Sequence, residues 1–561
     1  MSQEISAPHF PDHLLPHILG QGCRLLSKKL RDMYDDLTRG EAIVFLCKES
    51  LEVIKSYLSS KKDLNGLTFA NKRSTLFVTE ADPIDGVLDK FSLVSHSMIE
   101  KFHHRGPYMM PLMERLLGSL QLPNLQVLDL SNNYLRFTKK LGQILTTLPC
   151  LVDLNLSKNG IGPTSAADMA PYLGEMVKLR SLDLSDNKLT EVGIKFLSSA
   201  FSKLTHLHTL NLADNRIICV NIIDDTFEYL RELHNLRNFN VKRNYVTGLS
   251  KYLESFTGGL QSLQLCLISN DIGLAQGLER LTDLHTLDLE NIVNIKYISA
   301  IAPSLMGLTS LHSLNLVGSC DEDLSTLIDA LMVMTGLHTL GLSLCSNKST
   351  FNIANLMPCL TRMTGLHTLD LSCNGFGPDG MASLSNLDRL QSLDLSRNNL
   401  GSEGIASLVP TLFKMTKLHS LRLSGNKLRQ EGAASLAPVL SYLTGLHTLH
   451  LSDNGMQNEG LSYLVPSLVV LTGLHTLDLS LNDIINEGYA LLDPVFAALK
   501  NLRHLDISHS DCQQSVPVRS DVYWKGNDYR DIIDLSRCMA KEDEVDDYYC
   551  DYNSDYGDDE L

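Results

Sequence analysis

The chain has 561 residues, of which 43% are hydrophobic and 6% are aromatic. This apolar content is enough for a folded core and excludes a wholly disordered chain. Acidic residues number 65 against 48 basic ones, and the formal charge of −17 argues against nucleic acid as the main partner. The first residues lack the pattern of an export signal, no apolar run approaches membrane-spanning length, and the 12 cysteines are scattered singly. We therefore expect a cytoplasmic protein with reduced thiols and no membrane partner.

Residues 1–123 show no repeat in the sequence and are expected to form helices joined by turns. Thr38 and Glu41 fit a capping box, which predicts a helix over the amphipathic segment 41–58. A second helix is predicted over Val87–Phe102, after the turn at 82–86. We interpret this helical N-terminal region as a cap on the following repeats, and an adaptor or death-fold-like module is the alternative.

Residues 124–510 contain fifteen copies of the pattern LxxLxLxxN, spaced 24 to 29 residues apart. We number positions from the first leucine of each copy as 0. These first leucines are Leu125, Leu151, Leu179, Leu207, Leu236, Leu260, Leu284, Leu311, Leu337, Leu366, Leu390, Leu418, Leu446, Leu474 and Leu502. The number of copies makes a chance pattern untenable, so the sequence predicts a repeat array.

Each copy predicts a short strand followed by a helix. Leucines at positions 0, 3 and 5 point inward from the strand, and positions 2 and 4 face the open side. The asparagine at position 8 is expected to bind backbone groups where the chain turns. This ladder residue recurs at Asn133, Asn159, Asn187, Asn215, Asn244, Asn374, Asn398, Asn426, Asn454 and Asn482.

The second half of each copy has helical periodicity. In residues 401–417, Ile405, Leu408, Leu412 and Met415 recur at steps of three or four. Prolines at equivalent places in later copies are expected to bend or loosen these helices. They are Pro410, Pro438, Pro466 and Pro494.

The predicted fold class is therefore an α/β repeat solenoid. Parallel strands sit about 4.8 Å apart and packed helices about 8–10 Å apart, so stacked copies should curve into an open horseshoe with the strands on its concave face. Residues 511–540 are predicted to cap its C-terminal end. Residues 541–561 hold ten acidic residues and one lysine and are predicted to be a disordered acidic tail.

The concave face is the predicted binding surface, because position 2 is mostly serine or threonine and position 4 mostly aspartate or asparagine. We expect a small-residue, acidic trough that favours a basic protein partner. The copies at Leu260, Leu284 and Leu311 lack the ladder asparagine, so this irregular stretch is a candidate specificity site. The predicted partner-binding residues are His285, Asp288, Glu290, His312, Asn315, Asp370, Asp394, Arg422, His450 and Asp478.

No set of residues predicts catalysis, a metal or a cofactor. The segment 375–380 matches GxGxxG, but its glycines lie where each copy turns into its helix, so the repeat explains them. Histidine occupies position 1 in eight copies, and we interpret this column as duplication rather than a zinc site. Its members are His208, His285, His312, His338, His367, His419, His447 and His475.

The phrase LHTLDLSxN with a 28-residue period resembles the ribonuclease-inhibitor class of leucine-rich repeats. The helix starts GSEG (401–404), RQEG (429–432) and QNEG (457–460) resemble the repeats of NOD-like receptors, although the chain has no nucleotide-binding GxxxxGK[ST] loop. The resemblance implies a non-enzymatic scaffold, inhibitor or recognition protein that binds another protein. A GTPase-activating protein of the Ran-activator type, which also joins such repeats to an acidic tail, and an innate-immune sensor are the alternatives.

Overall fold

The computed structural model describes residues 122–507 except for 134–136, 220–224, 247, 254, 257–258, 267–272, 293–295, 319–323 and 345–352. Before residue 122 it describes three strands and the single residues Glu114 and Leu117. The chain divides into two compact units, Met1–Cys266 and Leu267–Leu561. The predicted C-terminal cap and acidic tail, and the ladder positions Ile268, Ser319 and Cys345, lie outside the described residues.

Unit 1 is built on one parallel sheet with neighbouring strands in register. Two further short strands, β8 (Ile218–Cys219) and β10 (Tyr245–Val246), pair with each other. The strands of the main sheet are β1 (Glu41–Leu46), β2 (Arg73–Thr79), β3 (Ile99–Arg105), β4 (Val127–Asp129), β5 (Asp153–Asn155), β6 (Ser181–Asp183), β7 (Thr209–Asn211), β9 (Asn238–Asn240) and β11 (Ser262–Cys266).

The first three strands correct the sequence analysis. Residues 41–46 form a strand where a helix over 41–58 is predicted, and the end of the predicted helix Val87–Phe102 overlaps β3. In the register of the sheet, Lys101 of β3 lies beside Val127 of β4, and Val127 lies beside Asp153 of β5. The two partners of each pair are the same number of residues apart in the chain. The repeated strand therefore starts well before residue 124. Whether this region caps the array stays a prediction.

Helices follow most of the strands of unit 1. α1 (Lys139–Thr146), α2 (Pro163–Leu173) and α3 (Thr190–Phe201) pack side by side. After β8 the helical part shortens to a 3-10 helix (Glu228–Glu232), and after β10 to α4 (Ser250–Leu253).

Unit 2 repeats the same arrangement with nine parallel strands, each paired with the next. They are β12 (Thr286–Ile292), β13 (Ser313–Gly318), β14 (Thr339–Ser343), β15 (Thr368–Asp370), β16 (Ser392–Asp394), β17 (Ser420–Arg422), β18 (Thr448–His450), β19 (Thr476–Asp478) and β20 (His504–Asp506). The alternation of parallel strand and helix in both units confirms the predicted α/β solenoid.

The helices of unit 2 form the layer behind its sheet. They are α5 (Gly273–Glu279), α6 (Lys296–Leu305), α7 (Ser325–Val333), α8 (Ile353–Leu360), a 3-10 helix (Met381–Asn386), α9 (Gly401–Leu412), α10 (Arg429–Leu440), α11 (Gln457–Val470), α12 (Asn486–Leu491) and α13 (Asp493–Ala498). α9, α10 and α11 continue past Pro410, Pro438 and Pro466 for two to four residues. The helix is interrupted only before Pro494, where α12 gives way to α13.

The core between the layers consists mainly of the predicted leucines. In the copy that begins at Leu418, the three inward leucines and the helical Leu436 are all 0% exposed. The ladder asparagines are buried as well and hydrogen-bond to backbone groups of their own copy and of the preceding one. Both predictions are confirmed.

Candidate functional site

The position-4 side chains of unit 2 form one column across its sheet, which we call the position-4 column. The strand register places one member on each of the nine strands, so neighbours in the column are neighbours in space. In order they are Asp288, Asn315, Gly341, Asp370, Asp394, Arg422, His450, Asp478 and Asp506. Seven of the ten predicted binding residues belong to this column.

The other three predicted residues lie elsewhere. His285 and His312 precede β12 and β13 by one residue and are exposed. Glu290 lies in β12, at position 6 of the copy that begins at Leu284. It is only 8% exposed, so it offers little surface to a partner. The structure therefore does not gather all ten residues into one patch.

Aspartates of the position-4 column also accept hydrogen bonds from the backbone just after their own strands. The backbone N–H groups of Ser372 and Ser396 donate to Oδ1 of Asp370 and Asp394 over 2.9 Å. The backbone N–H of Ser480 donates to Asp478 over 3.0 Å. One carboxylate oxygen of each aspartate is thus used within the repeat. The triplet DLS, repeated in the sequence, was the available signal for this structural role.

Two members of the column have basic side chains, and each lies beside an aspartate. The guanidinium of Arg422 lies 3.7 Å from a carboxylate oxygen of Asp394, and Nδ1 of His450 lies 3.7 Å from a carboxylate oxygen of Asp478. Burial lowers the pKa of His450, and the neighbouring positive charge of Arg422 lowers it further. The neutral form of His450 is therefore favoured, which leaves Arg422 as the cation at the centre of the charged segment.

Asp394 is held in an environment that disfavours its charge. Burial raises its pKa, and the carboxylate of Asp370 on the next strand raises it further, against the opposing effects of Ser396 and Arg422. A raised pKa means that the folded state binds the proton more tightly than the unfolded state. Stability is therefore lost as the pH rises from the ordinary aspartate range through the raised pKa.

We expect Asp394→Asn to stabilise the protein at pH 7 relative to the wild type, by less than about 1 kcal/mol. An asparagine keeps the acceptor for the backbone N–H of Ser396 and removes the unfavourable charge. Because the wild-type aspartate is protonated in acid, the advantage should shrink as the pH falls toward 3.5. Urea unfolding of both proteins at several pH values measures it, and an advantage that grows in acid would contradict this account.

Asn315 and Gly341 shape the start of the position-4 column. The side-chain amide of Asn315 donates to Oδ1 of Asp288 over 3.0 Å. A Cβ atom on Gly341 would collide with the Oδ1 atom of Asn315, so the glycine leaves room for this pair. Sequence reasoning missed Gly341, although a glycine inside a strand is a known sign of close approach.

The strands next to this pair are longer than those of the regular copies. β12, β13 and β14 have 7, 6 and 5 residues, whereas β15 to β20 have 3 each. The register between β12 and β13 also shifts between Leu289 and Ile292. The irregular stretch singled out by its missing asparagines is thus structurally distinct.

Within the part of the chain that the structure describes, no group of three or more histidine, cysteine or acidic side chains is arranged to hold a metal ion. Among the described helices, none combines the length and apolar character needed to cross a membrane.

Models described as leucine-rich repeats match residues 124–149, 147–170, 177–227, 363–385, 390–409, 414–437 and 443–465. The search of curated proteins finds no match.

Two solved structures are among those similar to the chain. An internalin from Listeria monocytogenes is 20% identical over 76% of this chain and 94% of its own, with a TM-score of 0.32. TLR13, solved as a TLR13–ssRNA13 complex, is 18% identical over 78% of this chain and 63% of its own, with a TM-score of 0.33. The seven matched segments, the buried leucines and the asparagine ladder together show that the chain contains leucine-rich repeats.

Proposed function

We propose that the chain is a non-enzymatic protein-binding module whose partner lies across the position-4 column of unit 2. The observation that carries the proposal is the column itself: nine positions in register, of which all but the buried Gly341 have partly or fully exposed side chains, with charges of both signs. Nine strands at about 4.8 Å spacing span about 40 Å, which suits an interface of about 800 Å² per partner.

The partner is proposed to present a basic surface. Five of the nine positions are aspartates, and only Arg422 is an arginine or lysine. A mostly acidic row of this kind attracts a basic partner and repels acidic ones. Such complementarity speeds association with the correct partner more than it adds affinity. Arg422 divides the row, so the acidic stretches on its two sides would contact separate parts of the partner.

Two finer assignments accompany this proposal. The strand-plus-helix copies with helices of up to 14 residues support the ribonuclease-inhibitor class of repeats. None of the cysteines in the described residues forms a disulfide, which supports a cytosolic location.

The test replaces Asp370, Asp394 and Asp478 together by asparagine. Asn155, Asn211 and Asn240 of unit 1 already occupy position 4 and accept the backbone N–H two residues later, so the triple variant should fold. Tagged full-length wild type and variant are used as baits in cell extract at 50 mM salt. Proteins retained by the wild type and at least tenfold depleted on the variant are the expected partners.

The matched control is Asp129→Asn/Asp183→Asn, which removes two carboxylates with the same backbone contacts from unit 1. This control should retain the proteins that the triple variant loses. The loss should also fade at 0.5 M salt, because screening weakens exposed charges. Equal recovery on all three baits would contradict the proposal.

A further inference from the structure

Seven histidines at position 1 of unit 2 form two stacks of rings. In the first stack, neighbouring centroids lie 5.3, 5.2 and 5.5 Å apart. In the second stack they lie 5.2 and 5.0 Å apart. The interplanar angles are 8° to 26°, so the rings are close to parallel. The first stack is His285, His312, His338 and His367, and the second is His419, His447 and His475.

Backbone contacts fix the orientation of two rings of the first stack. Nδ1 of His285 lies 2.7 Å from the carbonyl oxygen of Asp283, and Nδ1 of His312 lies 2.6 Å from that of Ser310. A carbonyl oxygen only accepts, so Nδ1 carries the proton in the neutral ring and Nε2 is left to take up a second one. Gly365 leaves room beside His338, because a Cβ atom there would lie 3.4 Å from Nε2 of the ring.

The charged groups around the stacks do not compensate for several added protons. The first stack has Asp283 at its start and Arg389 near its end, where the guanidinium donates to the carbonyl of Thr364. In the second stack, Lys417 precedes His419 by two residues, and Arg503 continues the column after His475. The position-2 side chains next to the rings are serine or threonine. Cations thus flank the second stack at both ends.

We propose that the two stacks make this edge of unit 2 acid-sensitive. When neighbouring imidazoles of a stack are protonated, parallel rings about 5 Å apart carry like charges side by side. Their repulsion opposes the close strand packing that holds the stack together. Acidification therefore loosens the strands that carry the position-4 column.

The test measures thermal unfolding of the full-length protein at pH 7.5 and pH 5.5 in 20 mM salt. The wild-type midpoint should fall by about 5 °C over this range. His312→Gln/His338→Gln/His447→Gln, which interrupts both stacks, should at least halve this fall. Glutamine already occupies position 1 at Gln391 between the stacks, and circular dichroism at pH 7.5 checks folding. His447→Gln alone, which splits the second stack, keeps the test decisive if the triple variant does not fold.

His208→Gln is the matched control. His208 lies at position 1 in unit 1 with the same Nδ1 contact of 2.6 Å to the carbonyl of His206, but its column neighbours are Arg180 and Arg237. This control leaves both stacks intact, so it should retain more of the wild-type acid response than His447→Gln does. Asp394 and His450 are present in every protein, so their titration cancels in the comparison. An acid response that is identical in wild type and both stack variants, or unchanged by 0.5 M salt, would overturn the proposal.

Discussion

Asn426→Ala is expected to lower the free energy of unfolding by about 4 kcal/mol, because its side chain satisfies several buried backbone groups at once. The amide donates to the carbonyl oxygens of Leu395 and Leu423 over 2.8 and 3.0 Å. Its oxygen accepts the backbone N–H of Asn398 over 3.0 Å. Asn426 is 0% exposed, so water cannot replace these bonds after truncation.

The location of Asn426 between two copies makes the loss of stability cooperative. One donor and one acceptor belong to the preceding copy, so the truncation weakens the junction between two copies rather than one turn. Each repeat in an array depends on its neighbours for stability. The loss should therefore appear as earlier unfolding of several copies.

The control for this prediction is Asn501→Ala. Asn501 is exposed and donates from its side chain to a single backbone carbonyl, that of Thr472. We expect it to change stability by no more than about 0.5 kcal/mol. Urea unfolding followed by circular dichroism measures both variants. Losses of similar size would show that burial of the ladder asparagine is not what matters.

The regular copies could be predicted because each local signal repeats. Inward leucines, the asparagine ladder and the helical periodicity of residues 401–417 all indicate the same unit, and the structure places Ile405, Leu408, Leu412 and Met415 in the core. Agreement between independent local signals is what makes such a pattern reliable.

The first strand could not be predicted in this way. Residues 41–46 follow a capping box, which favours a helix, yet they include the β-favouring Ile43, Val44 and Phe45. What decides is pairing with β2, in which Glu41 lies beside Arg73. A short apolar run does not distinguish a buried strand from a helix, and a partner 32 residues away is not a local signal.

The candidate site was only partly predictable for a similar reason. The alternation of a strand identified which side chains share the open face, and the register then confirmed the position-4 column. The sequence did not reveal that the aspartates bind the backbone of Ser372, Ser396 and Ser480. It also did not show that Gly341 makes room for the Asn315 side chain, because that effect depends on a side chain of the neighbouring strand.

The irregular stretch at β12 to β14 is expected to determine which partner binds. Asp288 and Asn315 present an aspartate–asparagine pair there, hydrogen-bonded over 3.0 Å. Unit 1 contains an equivalent pair at position 4 of two of its own neighbouring strands, because Asn211 donates to Asp183 over 3.1 Å. The two pairs share their chemistry and their position in the repeat, so they differ mainly in the strands around them.

Replacing each pair by alanine separates partner choice from stability. Asp288→Ala/Asn315→Ala and Asp183→Ala/Asn211→Ala should both cost about 1 to 2 kcal/mol of stability, since each removes one partly buried hydrogen-bonded pair. Only the first should weaken binding of a partner captured by the wild type, by at least tenfold, while the second should change its Kd less than twofold. The extended β12 and β13 hold the first pair beside Gly341, which leaves room for the Asn315 side chain. Equal losses of affinity in calorimetric titrations would mean that the irregular strands are tolerated drift and that the regular copies contribute as much to recognition.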